Sequence, residues 1–148
     1  MLKDRIYQDI VDAMKAKDKD KLSVLRMLKG SLQLENINKG KELTDDVVID
    51  VISREIKQRK ESIAEFTKGG RDDLASATAK EIEILKAYLP EQLSEEEIVT
   101  IIDQVFAKVA PTSAKDMGKV MKEVTPLVKG KADMSHVSAL IKERLNQF

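Results

Sequence analysis

Leu89-Pro90-Glu91-Gln92-Leu93-Ser94-Glu95-Glu96-Glu97-Ile98 ends one helix and starts another. The residue before a proline avoids the helical region of backbone space, so Pro90 is a stop. Ser94 with Glu97 three residues later is a capping box, in which each side chain satisfies the other residue's free backbone N–H. Glu95, Glu96 and Glu97 place negative charge on the first helical turn, where the macrodipole favours it. Ile98, Ile101, Ile102, Val105 and Val109 then recur at helical spacing until Pro111.

The same period runs outward in both directions. Towards the N-terminus, Leu2, Ile6, Ile10 and Met14 recur every four residues, with Tyr7 and Val11 beside them. Lys15–Lys21 is charged and reads as a turn. Leu22, Leu25, Leu28 and Leu32 form the stripe of a second helix, which ends near Asn38-Lys39-Gly40, where glycine can take a left-handed cap. Gly30 lies inside it at a cost of about 1 kcal/mol relative to alanine, for which close approach of a neighbouring helix is a reason. Thr44 caps a third helix carrying Val48, Ile52, Ile56, Ile63 and Phe66, stopped by Gly69-Gly70. Leu74, Thr78, Ile82, Leu85 and Leu89 mark a fourth, ended by Pro90. After Pro111, Ser113 can cap a helix with Met117, Val120, Met121 and Val124 on one side. Thr125-Pro126 reads as the start of a short further helix ending at Gly130. Asp133 caps the last helix, with Val137, Leu140, Ile141 and Leu145 inward. No stretch alternates like a strand. The expectation is an all-α chain: an N-terminal four-helix domain over 1–91, then a small tail domain of three to four helices over 92–148.

The chain has 148 residues with 26 Lys and Arg against 26 Asp and Glu, and no cysteine. This is a globular composition. Absence of cysteine removes disulfides, thiolate nucleophiles and zinc–cysteine sites. No apolar run approaches the roughly 20 residues that span a bilayer. Met1-Leu2-Lys3-Asp4-Arg5 enters directly on a charged amphipathic pattern and reads as lacking a signal peptide, so the expected location is cytoplasmic, with no membrane partner.

Little in the sequence is built for catalysis. His136, the sole histidine, follows Asp133 by three residues; one imidazole and one carboxylate are too few for a metal, which takes three or four ligands. The expectation is that Asp133 caps the helix and His136 sits in its first turn, with no metal and no cofactor. Glu81 and Glu83 point to different sides of their helix. No nucleophile–base signature or glycine-rich phosphate loop is visible. Arg59 occupies an apolar slot between Ile56 and Ile63, four residues after Glu55. Its alternatives are a snorkelling arginine paired with Glu55 and an anion site, and the spacing favours the pair.

Charge is uneven along the chain. Residues 92–107 carry four acids and no base, whereas 108–148 carry eight bases and four acids, a net of +4. Lys115, Lys119 and Lys122 fall at i, i+4 and i+7 and share one stripe, opposite the apolar one, as a uniformly cationic face. Lys129 and Lys131 follow around Gly130, just before a helix N-terminus that favours an anion. These five lysines suit a phosphate backbone. With no interleaved aromatic for base stacking, a structured RNA or duplex fits better than a single strand.

Met117-Gly118-Lys119-Val120-Met121-Lys122 with Val128-Lys129-Gly130-Lys131-Ala132-Asp133 resembles the tail-domain signature of the GatB/YqeY family. Tyr88-Leu89-Pro90, Leu93-Ser94-Glu95-Glu96-Glu97-Ile98 and Leu22-Ser23-Val24-Leu25-Arg26 also resemble YqeY proteins, so the resemblance covers essentially the whole chain. It implies a bacterial protein similar to the helical and tail regions of the tRNA-dependent amidotransferase B subunit, whose tail helps to hold tRNA. The implied function is a tRNA-binding accessory module, not catalytic alone. The alternatives are a module docking on amidotransferase or aminoacyl-tRNA synthetase components, and a carbon–nitrogen ligase with glutamine as amide donor. The catalytic part of that subunit lies outside the resembling region, so no catalytic residue carries over. The signature positions that carry over are mainly structural: Gly118 for close helix packing, Met121 in the core, Gly130 for a left-handed turn, Ala132 for its small size and Asp133 as a cap.

Overall fold

The computed structural model describes residues 1–148 and contains seven α-helices and no strand. They are α1 (Leu2–Ala16), α2 (Lys19–Lys39), α3 (Asp45–Lys68), α4 (Asp72–Lys86), α5 (Glu95–Val109), α6 (Met117–Val128) and α7 (Met134–Leu145), with a single 3-10 turn (Ala114–Asp116) before α6. They form two compact units, Met1–Leu89 and Pro90–Phe148. No helix is long and apolar enough to cross a membrane.

In the first unit the apolar stripes converge on one core. Ile6, Leu25, Leu28, Leu32, Val48 and Ile52 are almost fully excluded from solvent, and Ile82, Leu85 and Tyr88 close it from α4 and the turn that follows. Thr44 caps α3 through the Val47 N–H, and Asp45 in the next position accepts the Leu2 N–H at 2.8 Å, tying the start of α1 to the start of α3.

A ladder of polar groups, of which Glu35 and Arg59 are buried, crosses the helices beside this core. Ser31 on α2 donates to Glu55 on α3 at 2.7 Å, and Arg59 Nη1 donates to the other Glu55 oxygen at 2.7 Å. Arg59 also faces Glu81 of α4 at 3.8 Å, and its Nε has no hydrogen-bond partner. Glu35 on α2 is buried and accepts from Arg54 of α3 at 2.5 Å and from Lys39 at 3.2 Å. The Arg54 hydrogen bond holds the Glu35 carboxyl below the usual carboxylate range, against the opposing effect of burial. Arg59 therefore has its stem in the core and its head between two carboxylates. The anion-site alternative is excluded by charge, since two acids already occupy the position.

Four expectations need correction. The turn before α2 is only Lys17-Asp18, because Lys17 adopts a left-handed conformation (φ 58°) and Asp18 caps α2 by accepting the Lys21 N–H. Charged residues without apolar neighbours still propagate a helix once it is capped. α4 ends at Lys86, four residues short of Pro90, and the chain turns through Tyr88. Pro126 lies inside α6 and begins no separate helix. It sits in the last turn, where the missing N–H forfeits one hydrogen bond, and Thr125 Oγ1 donates back to the Met121 carbonyl at 2.7 Å. Gly30 has open space where a Cβ would stand, so no neighbouring helix explains it.

Candidate functional site

In the second unit Ile98, Ile102 and Val105 of α5 pack on Val120, Val124 and Val128 of α6 and on Val137, Ile141 and Leu145 of α7. This leaves the polar faces and the connecting loops outward. Ser94 and Glu97 form the capping box, with Ser94 accepting the Glu97 N–H and Glu97 accepting the Ser94 N–H.

The loop from α6 to α7 is fastened by its backbone. Gly130 adopts φ 73°, a conformation that costs any residue with a Cβ about 1–2 kcal/mol. The Leu93 N–H donates to the Lys131 carbonyl and the Gln92 side-chain amide to the Gly130 carbonyl, both at 2.8 Å. The segment that opens α5 therefore grips the basic loop while the side chains of Lys129 and Lys131 remain exposed. Asp133 caps α7 by accepting the Ser135 N–H at 2.9 Å. The first turn of α7 thus already faces a carboxylate.

All five candidate lysines are exposed in this unit. Lys119 and Lys122 lie on α6, whereas Lys115 belongs to the preceding 3-10 turn, so the three do not form one regular α-helical stripe. Nor is the face uniformly cationic. Lys119 lies 3.8 Å from Asp116, and Lys108 of α5 binds Glu123 at 2.8 Å, next to Lys122. The Thr112 N–H, with help from Lys119, holds the Asp116 carboxyl below its ordinary value, and the Lys108 hydrogen bond does the same for Glu123. Gly118 is exposed with nothing within contact range of its Cβ position, which overturns its reading as a close-packing glycine. Met121 and Ala132 are partly buried against the core.

Two residues come together that spacing along the chain does not connect. His136 Nε2 lies 2.7 Å from Glu95 Oε2, joining the first turns of α5 and α7. Their separation of 41 residues gives no periodic signal, and the two meet only in the folded unit. A shallow cavity of about 170 Å³ lies elsewhere in the unit, lined by Val99, Ile102, Leu140, Glu143, Arg144 and Gln147.

These features define a small all-helical protein whose C-terminal unit presents lysines from one helix and one clamped loop. A family model described as Yqey-like protein matches residues 3–145, and the chain belongs to the YqeY family. Curated relatives include Altered inheritance of mitochondria protein 41, mitochondrial, from three fungi. The Kluyveromyces lactis protein is 41% identical over 84 residues, covering 56% of this chain and 45% of its own length. The Saccharomyces cerevisiae protein is 37% identical over 82 residues, covering 55% and 44%. The Pyrenophora tritici-repentis protein is 30% identical over 146 residues, covering 94% and 78%. The chain thus spans less than half the length of the first two.

These relatives correct two expectations. They are fungal proteins named as mitochondrial, which overturns the bacterial source and the cytoplasmic location inferred from the sequence. The physical reason is that a charge-balanced helical core folds equally well in any aqueous compartment, so composition carries no address.

Proposed function

We propose that the chain is a non-catalytic RNA-binding accessory module. Its N-terminal four-helix domain serves as the scaffold, and its C-terminal domain, like the tail of the amidotransferase B subunit, holds a structured RNA by its phosphates. The observation that carries this reading is the exposure of Lys115, Lys119, Lys122, Lys129 and Lys131 in one 59-residue unit. Lys129 and Lys131 flank a glycine whose backbone is immobilised by Gln92 and Leu93, so their stems start from a fixed base. Asp116 and Glu123 temper the helical lysines, which suits a weak, reversible grip more than a tight one.

A titration of the purified chain with unfractionated tRNA tests the proposal. The expected result is binding at low salt that weakens steeply as salt rises, since each neutralised phosphate contributes about 0.7–0.9 to the slope of log K against log salt. Absence of binding at low salt would overturn it.

A further inference from the structure

The loop from α2 into α3 folds back beside the start of α1. Gly40 takes a left-handed backbone at φ 62°, and the Asn36 side-chain amide donates to the Lys41 carbonyl at 3.1 Å. The chain thereby reverses past the last turn of α2, with Leu43 buried in the core and Glu42 left outward. The Leu2 N–H bound to Asp45 ties the first turn of α1 to the far end of the same loop. A groove of about 360 Å³ lies here, lined from α1, from the last two turns of α2 and from the loop. Its walls are set by hydrogen bonds that the fold itself makes.

We infer that this groove is a binding site for a free α-amino acid with an uncharged side chain. Charge selects the class. Lys3 and Glu42 both line the groove, and neither is held in an ion pair. A ligand with negative charge alone meets Glu42, one with positive charge alone meets Lys3, and an apolar one takes water from both without replacing it. An α-amino acid carries an ammonium and a carboxylate on one carbon and answers both. Its carboxylate goes to Lys3, with the Gln33 amide as a further donor. Its ammonium goes to Glu42 and to the Asn36 side-chain oxygen, which the bond to Lys41 leaves open. The helix ends agree with this polarity, since Lys3 lies in the first turn of α1 and Asn36 in the last turn of α2. The rest of the lining is apolar. The Tyr7 ring, with the Lys29 ammonium 5.2 Å from its centroid, joins Leu43 and the exposed Ile37 as the surface for the ligand's side chain. The volume stands near the lower end of the roughly 300–1,000 Å³ of ligand pockets, which suits a molecule of this size.

Nuclear magnetic resonance titration of the full chain with each of the twenty standard amino acids tests this. The expected result is binding of at least one with an uncharged side chain, at a dissociation constant of about 1 mM or below, with shifts centred on Lys3, Tyr7 and Glu42. N-acetylation of that amino acid, which removes the ammonium, and methyl esterification, which removes the carboxylate, each weaken binding about tenfold or more. Lys3→Gln and Glu42→Gln do the same with unchanged helicity. The losses pair by charge: Glu42→Gln leaves the affinity for the N-acetyl form unchanged, and Lys3→Gln leaves that for the ester unchanged. Absence of binding by all twenty at about 10 mM overturns the proposal. Binding that both variants leave intact overturns the site, and binding that acetylation and esterification leave intact overturns the ligand class. A preference for a charged side chain overturns the assignment of the apolar wall.

Discussion

Glu95 and His136 meet at 2.7 Å and bridge the first turns of α5 and α7. Both side chains are about half exposed, so solvent screens the contact. A double-mutant cycle with Glu95→Gln and His136→Ala should give a coupling energy below about 1 kcal/mol that shrinks with added salt. A coupling several times larger would show that the pair organises the loop and does more than decorate it.

Gly118 separates stability from binding. It stands in the first turn of α6 with open space around its Cβ position. Gly118→Ala should raise stability by about 0.5–1 kcal/mol, measured by urea unfolding, because alanine loses less backbone entropy on folding. If RNA approaches the backbone beside Lys119, the same substitution weakens the complex while stabilising the protein.

Neutralising the lysines distinguishes their roles. Lys119→Gln with Lys122→Gln should flatten the salt dependence of RNA binding by up to about 2 in slope, one for each lost phosphate contact. Because Asp116 sits 3.8 Å from Lys119, the single Lys119→Gln variant should lose less than Lys131→Gln. Equal losses would mean that Asp116 does not compete with phosphate for that lysine.

Acid should act on the first unit through Glu35. Its carboxyl is held below the unfolded value of 4.5 by Arg54, so its contribution to stability is complete above that pH. The contribution falls away as pH drops through the lower folded value. Acid unfolding followed by circular dichroism should therefore steepen below about pH 4.5. Glu35→Gln should flatten that limb while lowering stability at pH 7.

Arg59 gives the largest expected loss. Arg59→Ala removes the cation that compensates Glu55, itself largely buried, and should cost about 3–5 kcal/mol by equilibrium unfolding. Replacing the pair together, Arg59→Met with Glu55→Gln, should cost clearly less, since the more buried carboxylate is neutralised with its cation and only the more exposed Glu81 loses a partner.

Much of the fold was written in local chemistry. Thr44, Ser94 and Asp133 cap the helices as their residue types dictate, and Gly40 and Gly130 take left-handed backbone where a helix must end. Pro126 misled because a proline near a helix end resembles one at a helix start, and only the surrounding hydrogen bonds tell them apart. The candidate site was legible as a list of lysines but not as a geometry. Its acids, Asp116 and Glu123, were visible in the same segment, yet their pairing depends on the 3-10 turn and on Lys108 arriving from α5. The clamp from Gln92 and Leu93 to Gly130 and Lys131, and the meeting of Glu95 with His136, join residues about 40 positions apart. No period reaches that far.

The polar ladder of α2, α3 and α4 divides the information in the first unit between two kinds of residue. Leucine and isoleucine stripes specify which face of a helix turns inward, but they are nearly indifferent to sliding, since a shift of one turn, about 5.4 Å, meets another apolar side chain. Ser31, Glu35, Arg54, Glu55 and Arg59 are not indifferent. A one-turn slip strands a buried charge, at a cost comparable to a large share of a small domain's total stability. The apolar residues choose the face and the charged ones choose the turn. Substitution among the leucines should therefore preserve helix alignment, whereas substitution along the ladder puts the alignment itself at risk.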